Sequence, residues 1–295
     1  MSIVEKSLEK LQKRGTPARP HGFPADATAA SGAGASAATY TRPHARVSLN
    51  HDRLRELGVL PPVSEQQRLA GEMRRIKRPL VERALASFAD PSSSACVIMV
   101  ASAIPGEGKT FTAINLAFSL ALEKDASVLL VDADVPKPHI SSVVGLEGSK
   151  GLIDAIVDPS VDVEALVYDT DVPNFSVLAA GTRSETATEL LASQRMVDII
   201  AQLRAANPRR IIVFDSPPLL FTTESRELAA TAGQIVLVVR AGETPRQAVF
   251  DAITILGEQK VIGIVLNQVD AQGSAASYYG YGQYGAYGDQ SDRGK

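Results

Sequence analysis

The chain has 295 residues, 45% of them hydrophobic, one cysteine and a formal net charge of −3. That length accommodates one large or two small domains. A charge so close to neutral leaves nucleic acid without an electrostatic footprint. One cysteine excludes an internal disulfide and suits a reducing compartment. No apolar run approaches the ~20 residues needed to cross a bilayer. The first residues, MSIVEKSLEKLQKR, are too charged for a secretory signal. The expectation is a cytoplasmic protein that meets a membrane only through a partner.

In chain order, residues 2–14 have the makings of a short helix. Ser2 and Glu5 form a capping box, and Val4, Leu8 and Leu11 share a side. Two readings stay open: a marginal solvated helix, or a docking peptide for a membrane protein. Residues 15–45, with runs such as ASGAGASAAT, read as a linker, and 1–59 as a flexible N-terminal segment. A second helix is expected from Ser64, capped by Ser64 and Gln67, through about residue 86. Leu69, Met73, Ile76 and Leu80 follow helical spacing along it, with Glu72, Arg75 and Arg78 on its polar side.

From Cys96 the pattern changes. Apolar runs of strand length, 97–100, 127–131, 175–178, 210–214, 234–239 and 261–266, alternate with helical stretches. Such runs imply strands covered on both faces, in a mostly parallel, doubly wound α/β sheet. Cys96 adjoins the first run and is expected to be a buried, inert thiol. The core domain is placed at 97–270, with 60–96 as a helix and approach to it. The segment after Asp270 has too few large aliphatics for a core, and 271–295 is expected to be a disordered tail. It holds five of the chain's seven tyrosines: Tyr278, Tyr279, Tyr281, Tyr284 and Tyr287.

Ala103-Ile-Pro-Gly-Glu-Gly-Lys-Thr110 lies between the first of these strands and the apolar-faced helix FTAINLAFSLAL. It fits a phosphate-binding loop with Ala in place of the first Gly. Gly106 and Gly108 let backbone N–H groups curl around phosphate oxygens at a helix N-terminus. Ala103, Pro105, Glu107 and Phe111 complete the expected ATP contacts. Lys109 would bridge the β- and γ-phosphates, and the Thr110 hydroxyl would ligate Mg²⁺. Two further strands end in carboxylates: VLLVDAD in Asp132 and Asp134, IIVFDSPP in Asp215. In an open parallel sheet ligands bind at the carboxyl ends of the strands, so all three should face the loop. Turn capping is the plainer role for any single such Asp.

These segments together resemble the bacterial tyrosine kinases, P-loop NTPases of the ParA/MinD-like class that serve exopolysaccharide export. GEMRRIKRPL, AGTRSETATELLASQRM and the tail further resemble the exosortase-associated tyrosine autokinases. The resemblance covers about residues 60–290. It implies Lys109, Asp132 and Asp134 as catalytic, Thr110, Asp132 and Asp215 at the metal, and Asp132 as the base for the tyrosine hydroxyl. It implies Glu72, Arg75 and Arg78 as an E-x-x-R-x-x-R helix joining subunits into a ring. It further implies autophosphorylation of the tail tyrosines, a separate inner-membrane co-polymerase as activator, and a phosphotyrosine phosphatase. Two positions depart from the family pattern: Pro136 stands where Arg is usual, and Thr223-Glu224 where an Asp often follows the Ser-Pro-Pro segment. The rival readings are a ParA/MinD-like ATPase switch and an ATP-binding scaffold without kinase activity. The first usually carries a Lys at the place of Ile104 and does not need the tyrosines; against the second, Lys109, Thr110, Asp132, Asp134 and Asp215 are all kept.

Overall fold

The computed structural model describes residues 44–90, 92–257 and 260–269. The expected helix at 2–14, most of the linker and all five tail tyrosines lie outside the described residues.

Eight strands form one sheet: β1 (Ala45–Val47), β2 (Val97–Ser102), β3 (Ser127–Asp132), β4 (Val167–Thr170), β5 (Phe175–Leu178), β6 (Arg210–Asp215), β7 (Gln234–Arg240) and β8 (Val261–Asn267). Their order is β1-β4-β5-β3-β6-β2-β7-β8. Every pairing is parallel except β4 with β5. The flanking helices are α1 (His51–Glu56), α2 (Gln66–Ser87), α3 (Lys109–Ala121), α4 (His139–Val143), α5 (Leu152–Val157), α6 (Ala187–Leu191), α7 (Gln194–Ala206), α8 (Glu224–Thr231) and α9 (Arg246–Leu256). Every residue of β2 and β6 is buried, as the continuous apolar runs require of central strands covered on both faces. Cys96 is a free, buried thiol.

All six expected strands are present. The other two, β1 and β4, are short and partly polar, and sequence reading missed them. β1 corrects the boundary drawn at residue 60. Ala45–Val47 pairs in parallel with Tyr168–Thr170. Leu49, Leu54 and Val59 are buried in the core. Asp171 accepts hydrogen bonds from the Leu49 N–H and the Ser48 hydroxyl, both at 3.1 Å. Asn115 in α3 donates to the Val59 carbonyl at 2.9 Å. Residues 44–59 thus belong to the folded unit, held by polar anchors far away in sequence.

The helix expected from Ser64 begins two residues later. A 3₁₀ turn, Val63–Glu65, precedes it, and no side chain caps it. Its apolar stripe packs as the spacing requires: Met73 and Leu80 are buried, Leu69 and Ile76 partly so. Lys77 fastens it to α3, donating to the Ser119 carbonyl at 2.6 Å and pairing with Glu123 at 2.7 Å. Among the described residues no helix is long and apolar enough to cross a membrane.

Candidate active site

The strand order puts β6 between β2 and β3. The loop after β2 and the carboxyl ends of β3 and β6 therefore share one sheet edge, and Asp132 pairs in register with Asp215. Gly106 and Gly108 have φ of 83° and 92°, which a side chain would resist. A Cβ on Gly108 would also strike the Asn267 amide, so glycine is required there twice over. Gly108 opens α3, whose first residue is Lys109.

The loop is braced from behind. The Glu107 carboxylate is 1% exposed. It accepts from the Ile104 N–H at 2.8 Å and the Thr244 hydroxyl at 2.5 Å. Asn267, the last residue of β8, donates to the Glu107 carbonyl at 2.9 Å. The Glu107 carboxylate is therefore occupied in shaping the loop. Thr244 and Asn267 are functional neighbours that sequence reading missed. Each lies more than a hundred residues from Glu107, with no local pattern to mark it.

Three acids stand before the loop. Thr110 donates its hydroxyl to Asp215 Oδ2 at 2.7 Å. The second oxygen of Asp215 is buried without a partner, as is Oδ1 of Asp132. Asp132 Oδ2 is held by the Ser141 N–H and hydroxyl, each at 2.7 Å. Ser141 Oγ in turn accepts from the Ala180 N–H at 3.0 Å. Ser141 is a positioning residue that nothing in the DADVPKPHIS segment announces. Burial pushes the Asp132 carboxyl up to about 6, against the pull of its Ser141 bonds. Burial likewise pushes Asp215 up to about 7, despite the Thr110 bond, with Asp132 adding like-charge repulsion. Asp134 is also raised by burial, while Lys109 and Lys137 pull it down. Lys109 is 8% exposed and its charge reaches both Asp134 and Asp215. Phe111 is half-buried in the first turn of α3.

Buried carboxylate oxygens without partners, beside a hydroxyl and an anion-binding loop, fit a hydrated divalent cation. Mg²⁺ keeps several waters and takes only one or two protein groups alongside phosphates.

The expected interface residues lie elsewhere. Glu72, Arg75 and Arg78 are all exposed on α2. Arg78 reaches Glu82 at 3.7 Å.

A family model described as an AAA domain matches residues 95–252. Tyrosine-protein kinase YwqD of Bacillus subtilis (strain 168) is 31% identical over 221 residues, 74% of this chain and 89% of its own length. The succinoglycan biosynthesis transport protein ExoP of Rhizobium meliloti (strain 1021) is 32% identical over 60% of this chain. The chain spans only 23% of ExoP's length. The crystal structure of the VpsO kinase domain superposes with a TM-score of 0.54 at 30% identity, covering 66% of this chain and 98% of that domain. With this fold, this loop and these relatives, the chain belongs to the bacterial tyrosine-protein kinases, built on an AAA-domain nucleotide-binding scaffold.

Proposed function

We propose that the protein is an autokinase that transfers the γ-phosphoryl group of ATP to its own tyrosines, Tyr278, Tyr279, Tyr281, Tyr284 and Tyr287. One observation carries this: two buried strand-end carboxylates with unpartnered oxygens stand beside a braced phosphate loop, in a chain whose last residues are rich in tyrosine. The backbone N–H groups of Gly106–Thr110 cradle the phosphates and Lys109 neutralises them. Thr110, Asp132 and Asp215 would hold the metal side, with Asp134 near its water shell. Mg²⁺ would supply charge neutralisation at the transferring phosphoryl group.

The tyrosine oxygen attacks the γ-phosphorus while the bond to the β-phosphate oxygen breaks, and ADP leaves with that electron pair. The phenolic proton passes to the Asp132 carboxylate. Copies associate through Glu72, Arg75 and Arg78 of α2, in a ring. Phosphorylation then adds about −1.5 to −2 charges per tyrosine, which loosens the assembly until a phosphatase resets it. A separate inner-membrane co-polymerase activates the protein and holds it at the membrane. Exopolysaccharide polymerisation and export is the process regulated, as ExoP's name suggests for that relative.

The test is phosphopeptide mass spectrometry of the purified chain after incubation with Mg²⁺–ATP. Phosphate on Tyr278–Tyr287, with little on Tyr40 or Tyr168, is the expected result. Label confined to Tyr40 or Tyr168, or no label, overturns the reading.

A further inference from the structure

We propose that Phe221 is the docking residue for the acceptor tyrosine, an aromatic ledge on which the uncharged tyrosine-rich segment of this chain lies. The inference rests on the kinase reading above and adds to it the residue that selects tyrosine.

Among the described residues Phe221 is the one phenylalanine left mostly in water, at 66% exposure. Single exposed apolar side chains are ordinary on proteins. What sets this one apart is that its loop is fixed and sits against the phosphate site. The loop follows Asp215 directly. The Leu219 N–H donates to the Ser102 carbonyl at 2.9 Å and the Leu220 N–H to the Ala103 carbonyl at 3.1 Å. Phe221 is thus the next residue after one hydrogen-bonded to the start of the phosphate loop.

Leu219 is fully buried and anchors the loop from below. Two hydroxyl hydrogen bonds brace it from the far side. Ser225 Oγ donates to the Pro217 carbonyl at 2.7 Å and accepts from the Thr222 hydroxyl at 2.7 Å. Two prolines and this ladder leave the loop little freedom to turn Phe221 inward. Ile104 and Leu220 are partly exposed and Pro105 is exposed.

The occupant follows from where the chain goes. β8 ends at Asn267, whose amide touches the phosphate loop, so the segment beyond residue 269 departs from the same edge as Phe221. Tyr281 lies 14 residues past Asn267, and a random-coil chain of 14 residues spans roughly 20 Å on average. Residues 278–287, YYGYGQYGAY, carry no charge, so an aromatic surface suits them better than an ionic one. An offset or edge-to-face ring pair would hold a tyrosine where a serine, lacking the ring, gains nothing.

The experiment uses the full-length chain with its five tail tyrosines replaced by serine, which removes competing rings. The probe is a labelled synthetic peptide of residues 276–289. Its binding is measured by fluorescence anisotropy with a non-hydrolysable ATP analogue and Mg²⁺, and its KM by phosphate incorporation. Phe221→Ala should raise both the peptide's Kd and its KM about three- to tenfold. Phe221→Trp should restore them, and affinity for Mg²⁺–ADP should not move. A peptide with its tyrosines changed to serine should bind weakly and be indifferent to position 221. Equal peptide affinity and KM in Phe221→Ala and its parent overturn the proposal while leaving a phosphorylated peptide to uphold the kinase reading. Binding that depends on Phe221 with no phosphate ever incorporated sinks the kinase reading and upholds the ledge.

Discussion

The two ends of β6 carry buried charges that are handled in opposite ways. At its amino end Arg210 grips Glu164 with two bonds of 2.6 Å and also donates to the Leu203 carbonyl. His44 closes the group, 3.2 Å from Glu164 and 3.1 Å from Asp169. At its carboxyl end Asp215 and its neighbour Asp132 are as deeply buried, yet each keeps an oxygen without a partner. At the first end Arg210 and Glu164 answer each other within the chain, although the buried His44 Nε2 makes no hydrogen bond. At the second, burial drives both carboxyls towards neutrality. A closed ion pair holds a fold together but leaves little for a ligand. Unanswered acids cost stability and wait for a positive partner, as groups at reactive sites do.

The sharpest way to test the contrast is at the ligand end. Lys109→Met should lower tail phosphotyrosine by about a thousandfold or more, since it deletes a charge aimed at the transferring phosphates. Its thermal midpoint should match the parent's. Near-normal phosphotyrosine on immunoblots of the variant would break the assignment of this end to chemistry.

Arg210→Met attacks the other end. It strands Glu164 in the core and should cost about 3–5 kcal/mol in urea unfolding. Adding Glu164→Leu should recover most of that loss, because two apolar side chains replace a pair whose desolvation was expensive. Nucleotide affinity of the folded fraction should be unchanged in both. A single variant as stable as the parent would mean the pair is not the closed unit its geometry describes.

Asp215→Asn compares the two ends by pH. Its carboxyl rises from an ordinary 3.8 to about 7 in the fold. The folded state therefore prefers the protonated form. The stability this contributes is whole below about pH 4 and is lost as pH climbs through 7. Asparagine does not titrate. The difference in stability, variant minus parent, should thus grow in the variant's favour between pH 4 and 8, reaching on the order of 4 kcal/mol without ligand. Taking the difference removes the opposite trend of acids such as Asp154, whose carboxyl is held low by Thr182 and Gly151. A flat difference across that range would show that Asp215 is not held near neutrality.

The same contrast marks what could be read before the fold was known. Six strands were legible because central parallel strands must be apolar on both faces. β4, reading Val-Tyr-Asp-Thr, and β1, reading Ala-Arg-Val, sit towards one edge and carry no such run. The ligand end was legible because its groups follow strand ends and a glycine-rich turn, all local signals. The closed end was not. Arg210 and Glu164 are 46 residues apart and His44 is farther still, and each alone reads as a surface charge. Ser141, Thr244 and Asn267 escaped notice for the same reason, since the partner that gives each its task is set by topology.

A third kind of charge, exposed on α2, completes the series and has the smallest effect on stability. Arg78 is 83% exposed, and its contact with Glu82 at 3.7 Å is long and open to water. Such pairs contribute about 0–1 kcal/mol. Replacing Arg75 and Arg78 together by Ala should therefore shift unfolding by less than about 0.5 kcal/mol. The apolar stripe of Met73 and Leu80 that seats α2 is untouched, and so is the Lys77 tie to α3. If Glu72, Arg75 and Arg78 join copies, the same double variant should still lower the mass seen by light scattering. An Arg fork can meet a neighbour's carboxylate with two bonds, and a repeated contact multiplies that gain around a closed ring. Phosphorylation of a Lys109→Met chain by an active partner should fall in parallel with the mass. An unchanged mass with unchanged stability would make these three residues a solvated face of α2 and nothing more.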